Sequence, residues 1–148
     1  MYFVDREKIE QTLVYMETLQ GQLAQGAISN LTEKLALERA TYVVIESIID
    51  VGNSMIDGFI MRDPGGYEDI IDILEDEKVV QAEDAVSLKE VIGLRKQLVQ
   101  NYSNVDHQQL LETFATHETA LLHFPVDVRR YLVEELGPVS AFLPNNNK

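Results

Sequence analysis

The sequence predicts an all-α fold, an antiparallel bundle of about five helices, and three observations lead there. Apolar residues recur at intervals of three and four along most of the chain, no segment sustains period-two alternation, and the glycines and prolines gather at the ends of the periodic stretches. With 148 residues, 45% of them hydrophobic, and no Pro/Gly/Ser-rich linker, residues 1–148 read as a single domain with one core.

The first helix is expected from Asp5, a suitable N-cap, to about Leu23, on the stripe Ile9, Leu13, Met16, Leu19 and Leu23. Asn30-Leu-Thr-Glu33 resembles a capping box and opens a second helix. Leu31, Leu35, Tyr42, Ile45, Ile49 and Ile56 carry it to about Ile60, with Gly52 or Gly58 as places where so long a helix would bend. Asp63-Pro-Gly-Gly66 is a turn, because proline and paired glycines stop a helix. A short third helix carries Tyr67, Ile70, Ile71 and Leu74, and a fourth is expected from about Glu83 to Tyr102. The fifth begins near Asp106 with Leu110, Leu111, Phe114, Leu121 and Leu122; Pro125 is expected to interrupt it before Val128, Leu132 and Leu136 resume the pattern. Gly137-Pro138 ends it, and Asn145 to Lys148 read as a frayed tail.

Charge and composition exclude whole classes of function. Acidic residues outnumber basic ones 25 to 12, and the net charge of -13 repels phosphate backbones, so DNA is not an expected partner and any RNA contact has to be local. The absence of cysteine removes disulfides, thiolate catalysis and cysteine metal sites. His107, His117 and His123 are scattered without ligand spacing, no Gly-rich phosphate loop or nucleophile elbow is present, and neither a metal nor a cofactor is expected. Met1 to Lys8 reaches charge too soon for a signal peptide, and no apolar run approaches the roughly 18 residues of a membrane span, which gives a cytoplasmic expectation with no membrane partner.

One arginine stands out. Leu88, Ile92, Arg95, Val99 and Tyr102 are spaced four, three, four and three, the spacing of a helix-packing seam, and Arg95 fills an apolar slot in it. Val91, Leu94 and Leu98 form a second stripe alongside, so the helix is apolar over a wide arc; one side suits its own bundle, the other a partner subunit in a homodimer. A buried guanidinium must be paired, and the second helix offers Arg39, Glu46, Asp50, Asn53 and Asp57 along one polar stripe. Two readings stay open: a structural ion pair with one of those acids, or a cleft in which Arg95, close to Tyr102, meets an anion such as phosphate.

Val91-Ile-Gly-Leu-Arg-Lys-Gln-Leu-Val-Gln-Asn-Tyr102 resembles the signature of the HEPN superfamily in its HepT-like branch, where arginine is followed four to six residues later by histidine, any residue and tyrosine. Glu38-Arg-Ala40 leading to Asp50-Val-Gly-Asn53, Gly66-Tyr-Glu-Asp69 running to Ile73-Leu74, and Tyr102-Ser-Asn-Val-Asp106 follow in the order and spacing of that family. The resemblance implies one HepT-like HEPN domain over 1–148 and a homodimeric toxin of a type VII toxin–antitoxin system that cleaves RNA without metal. Arg95 would steady phosphate charge, and a minimal nucleotidyltransferase antitoxin would silence the protein by adding AMP to Tyr102. The chain departs from the pattern at Gln100, which stands in the place of the histidine, and at Lys96, where asparagine is usual. A glutamine amide donates and accepts hydrogen bonds but does not titrate near neutrality. A second expectation therefore stands beside the first: a degenerate HEPN dimer that binds a nucleotide or protein without catalysis. His107, five residues past Tyr102, is the nearest alternative proton carrier, and the commoner role for such a histidine is packing or surface exposure.

Overall fold

The computed structural model describes residues 2–24 and 28–137. Among them the chain forms helices and no strand: α1 (Arg6–Leu23), α2 (Leu31–Gly58), α3 (Tyr67–Asp76), α4 (Ala82–Ile92), α5 (Arg95–Val99), α6 (His107–Thr116) and α7 (Glu118–Leu136). The all-α expectation holds, and the count rises from five to seven because two of the expected helices divide. The expected tail at Asn145 to Lys148 lies outside the described residues.

The helix starts follow their local chemistry. The Asp5 side chain accepts from the Lys8 amide and caps α1. Asn30 and Glu33 complete a capping box on α2, each side chain receiving a hydrogen bond from the other's backbone. With 28 residues, α2 is roughly 42 Å long. It stops at Gly58, two residues before the expected Ile60, because Ile60 turns into the left-handed region (φ 58°).

Neither glycine of α2 marks a break. Gly52 lies buried where α3 crosses, and a Cβ there would collide with Ile70 Cγ2; Gly58 lets the N-terminal segment pass, with its carbonyl accepting from the Phe3 amide at 3.0 Å. Both glycines serve close approach of neighbouring backbone. Ile9, Leu13 and Met16 of α1 meet Val44, Ile45, Ile48, Met55 and Ile56 of α2 in one core, which Ile71 and Leu74 of α3, Leu88 and Val91 of α4 and Phe124 and Val128 of α7 complete. All of these side chains are at most 1% exposed.

The expected continuous helix from Glu83 to Tyr102 is corrected. Helix α4 ends at Ile92, Gly93 and Leu94 form a tightened turn in which the Leu94 amide bonds the Val91 carbonyl three residues back, and α5 restarts at Arg95. Each residue in such a turn advances further around the axis than in an α-helix, so the residues past it face a new direction. The seam therefore divides: Leu88, Ile92, Val91 and Leu94 are buried within the chain, while Val99 and Tyr102 stand exposed.

The expected interruption at Pro125 is corrected too. The chain bends at His117 (φ -106°, ψ 18°), between α6 and α7, and Pro125 sits buried inside α7. Proline has no amide to bond the carbonyl four residues earlier, which belongs to Leu121. That carbonyl is supplied from another helix: Gln20 Nε2 of α1 donates to it at 3.2 Å. A long-range side chain thus makes the helix bond that the proline cannot. Replacing Gln20 by alanine orphans the Leu121 carbonyl, and urea unfolding of Gln20→Ala is expected to show a loss of about 1–2 kcal/mol with an unchanged slope.

Candidate functional site

Three turns of α2 organise the site. Glu38, Tyr42 and Glu46 follow one another at intervals of four, which places them along one helical face, and α5 and α6 pack against that face. Arg95, the first residue of α5, donates from Nε to Glu46 Oε2 at 2.7 Å. Both side chains keep about a quarter of their surface, 24% and 26%. From the other side the Tyr67 ring of α3 receives the guanidinium, whose central carbon lies 4.7 Å from the ring centroid. The Glu46 hydrogen bond holds the Arg95 pKa above the ordinary arginine value, so the side chain is a permanent cation. Of the two readings left open by the sequence, the ion pair with an acid of α2 is what forms. Glu46 is the acid, and the arginine remains partly open to solvent.

The other motif residues stand outside this pair. Gln100 is the C-cap of α5 and is exposed. Tyr102 is 71% exposed in the loop between α5 and α6. No hydrogen bond or ring contact joins Tyr102 to Arg95 among the described residues. The loop's ends are pinned by Gln97, whose Oε1 accepts from the Asp106 amide at 2.8 Å while its Nε2 donates to Gln109 Oε1 at 2.6 Å. Asp106 then caps α6 through the Gln109 amide.

One turn of α2 before Tyr42, Glu38 Oε2 meets His107 Nε2 at 2.7 Å, and both side chains are about four-fifths covered. Arg39, next to Glu38 in α2, lies with its guanidinium 5.8 Å from the Tyr42 ring centroid. Sequence reading missed this Glu38–His107 contact, and it missed Tyr67 as the cover of Arg95. The available signal was the Glu38, Tyr42, Glu46 spacing, which the more obvious stripe from Arg39 to Asp57 concealed. The far part of that stripe faces α1 instead, where Asp50, Asn53 and Asp57 line a groove of about 270 Å³ with Lys8 and Thr12. Burial, reinforced by Glu46, raises the Asp50 carboxyl above its usual value.

The remaining histidines are elsewhere. His117 marks the bend between α6 and α7, and His123 Nδ1 meets the buried Asp84 at 2.9 Å, a contact that raises its pKa and ties α7 to α4. No group of three or more His, Asp or Glu able to hold a metal ion occurs among the described residues. None of the described helices is long and apolar enough to cross a membrane.

The described residues are thus an all-helical chain whose motif arginine, Arg95 on α5, is paired with Glu46 of α2. The chain belongs to the ribonuclease HepT-like family, whose model matches residues 7–128. A Bacillus subtilis (strain 168) protein named "Putative RNase YutE" is 52% identical over 146 residues, covering 96% of this chain and 99% of its own. The solved structure of a B. subtilis protein, described as the cytosolic protein of unknown function YutE, superposes with a TM-score of 0.92 at 50% identity, over 96% of this chain and 100% of that one. A Shewanella oneidensis HEPN toxin, described as tri-AMPylated and in complex with an MNT antitoxin, shares the fold at 15% identity with a TM-score of 0.73, over 82% and 96% of the two chains. A toxin–antitoxin structure with AMP-PNP is similar at 14% identity, with a TM-score of 0.71 over 81% and 96%.

Proposed function

We propose that this protein is the toxin of a type VII toxin–antitoxin pair: a cytoplasmic, homodimeric, metal-independent RNA endonuclease silenced when a nucleotidyltransferase adds AMP to Tyr102. The observation that carries the reading is the placement of Tyr102, 71% exposed on the loop that follows the Arg95 helix. A phenol in that position meets a modifying enzyme without unfolding, and the added phosphate would place negative charge on the loop that leads from the Arg95 helix. The description of one structural relative as an AMPylated toxin with its antitoxin supports the same assignment of partner.

In this reading Arg95 steadies charge on the scissile phosphate, and Glu46 and Tyr67 keep its guanidinium in one orientation. Such contact is local, as the net charge of -13 requires. Gln100 cannot move a proton at the sugar hydroxyl, which limits the rate. A second reading, a non-catalytic dimer that binds a nucleotide or protein, is favoured by Gln100 and by the commitment of Arg95 to Glu46.

The dimer rests on apolar side chains left uncovered by the chain's own packing: Val99 on α5, and Leu31 and Leu35, 69% and 53% exposed, on α2. Light scattering at micromolar concentration is expected to give twice the 16.8 kDa chain mass; a monomer would overturn the dimer.

Incubation with a cognate nucleotidyltransferase and ATP is expected to add AMP mass to the peptide containing Tyr102, and Tyr102→Phe is expected to abolish the addition. Mass on another peptide, with Tyr102 untouched, would remove the assignment.

For cleavage, the native protein is expected to cut RNA slowly in EDTA. Gln100→His is expected to speed it by about a hundredfold or more, the usual worth of general acid–base help. Arg95→Ala in that background is expected to return the rate to the uncatalysed level. Inactivity of all three proteins on varied RNAs would favour the scaffold reading.

A further inference from the structure

We propose that the Glu38–His107 pair is the proton-transfer device of this protein, with Arg39 as its phosphate-facing cation, in place of the histidine that Gln100 has displaced. The inference rests on the RNA-cleaving reading above and names a group for the step that reading leaves slow.

His107 opens α6, immediately after the Asp106 cap, and this register turns its ring onto α2. Its Nε2 lies 2.7 Å from Glu38 Oε2, and a carboxylate can only accept, so Nε2 carries the hydrogen and Nδ1 is the basic nitrogen. A carboxylate on one nitrogen fixes the tautomer, orients the ring and stabilises the imidazolium that forms when the other nitrogen takes a proton. About a fifth of the His107 side-chain surface stays open to solvent.

Arg39 supplies the complementary charge. It follows Glu38 directly in α2, lies over the Tyr42 ring, and has no carboxylate or hydrogen-bond partner among the described residues. In a chain of net charge -13 most arginines are spent on carboxylates: Arg62 on Asp76, Arg95 on Glu46, Arg129 on Glu10 and Glu17, Arg130 on Glu134. An exposed guanidinium one residue from the Glu38–His107 pair is where an RNA phosphate finds a cation without breaking an existing ion pair. Arg39 and Glu46, the partner of Arg95, are seven residues apart on α2, so the two arginines lie along one side of that helix.

The step balances as follows. Nδ1 of His107 removes the proton from a ribose 2′-hydroxyl as that oxygen attacks the adjacent phosphorus. The new P–O2′ bond forms while the P–O5′ bond breaks, leaving a cyclic phosphate and a 5′-oxygen that takes a proton from water. The imidazolium then yields its proton to solvent.

The test is cleavage of a fluorogenic oligoribonucleotide in EDTA from about pH 5 to 9, with folding of every variant checked by circular dichroism and thermal melting. Native protein is expected to show a slow rate that rises with pH. His107→Gln keeps a hydrogen bond to Glu38 and is expected to lower kcat by about a hundredfold and to flatten that rise. Glu38→Gln is expected to lower kcat while leaving KM close to the native value, since the ring loses the carboxylate that fixes its tautomer and orientation; a loss of fold would show in the melting curve instead. Arg39→Ala is expected to raise KM more than it lowers kcat. Native-like cleavage and an unchanged profile in a folded His107→Gln protein would overturn the inference. So would an inactive native protein alongside an active Gln100→His variant, a result that leaves the RNA-cleaving reading standing; inactivity of both would overturn the two together.

Discussion

Burial of one face of α2 is the constraint on which the rest of the structure depends. Its 28 residues carry Val44, Ile45, Ile48, Met55 and Ile56 at essentially zero exposure, and α1 and α3 lie against that surface, with Gly52 admitting Ile70 of α3 and Gly58 the segment that precedes α1. At about 25 cal/mol per Å² of apolar surface removed from water, side chains of this size contribute roughly 1.5–3 kcal/mol each. The same helix then has a second face that the core does not need. Glu38, Tyr42 and Glu46 stand on it, and α5 and α6 reach it with Arg95 and His107. The site is in this sense the polar edge of the helix that holds the core.

Ion pairs complete the architecture by joining segments far apart in sequence. Arg129 of α7 is held by both Glu10 and Glu17 of α1, at 2.9 and 2.8 Å, and these two carboxylates raise its pKa further above the ordinary arginine range. Lys89 of α4 pairs with Asp72 of α3, and His123 of α7 with Asp84 of α4. Partly exposed pairs of this kind add little stability singly. They set register, because each fixes one turn of a helix against one turn of another. In an acidic chain they also hold four of the six arginines, Arg62, Arg95, Arg129 and Arg130, which makes Arg39, with no such pair among the described residues, conspicuous.

Two departures from a regular helix place the site. The tightened turn at Gly93 and Leu94 redirects α5, so that Arg95 meets Glu46 while Tyr102 passes into solvent. The bend at His117 separates α6 from α7, which leaves α6 free to set His107 on Glu38 while α7 packs into the core through Phe124 and Val128. A regular helix through either position would send these side chains elsewhere.

What the sequence by itself determined were the features governed by neighbours along the chain: the caps at Asp5, Asn30 and Asp106, the turn from Asp63 to Gly66, the apolar faces, and the presence of Arg95, Gln100 and Tyr102 in a HepT-like pattern. It also limited the partner of Arg95 to the acids of α2. Only the tertiary structure decided which acid, because Glu46 and Asp50 are equally plausible by periodicity and differ only in which neighbouring helix lies over them. It likewise decided that Pro125 stays within a helix, since the Leu121 carbonyl finds Gln20 across 101 residues of chain. The meeting of Glu38 and His107 spans 69 residues and belongs to the same class. Local patterns carry the energies of one turn of helix, whereas a contact between helices depends on how whole faces pack, and that packing is settled only when the core closes.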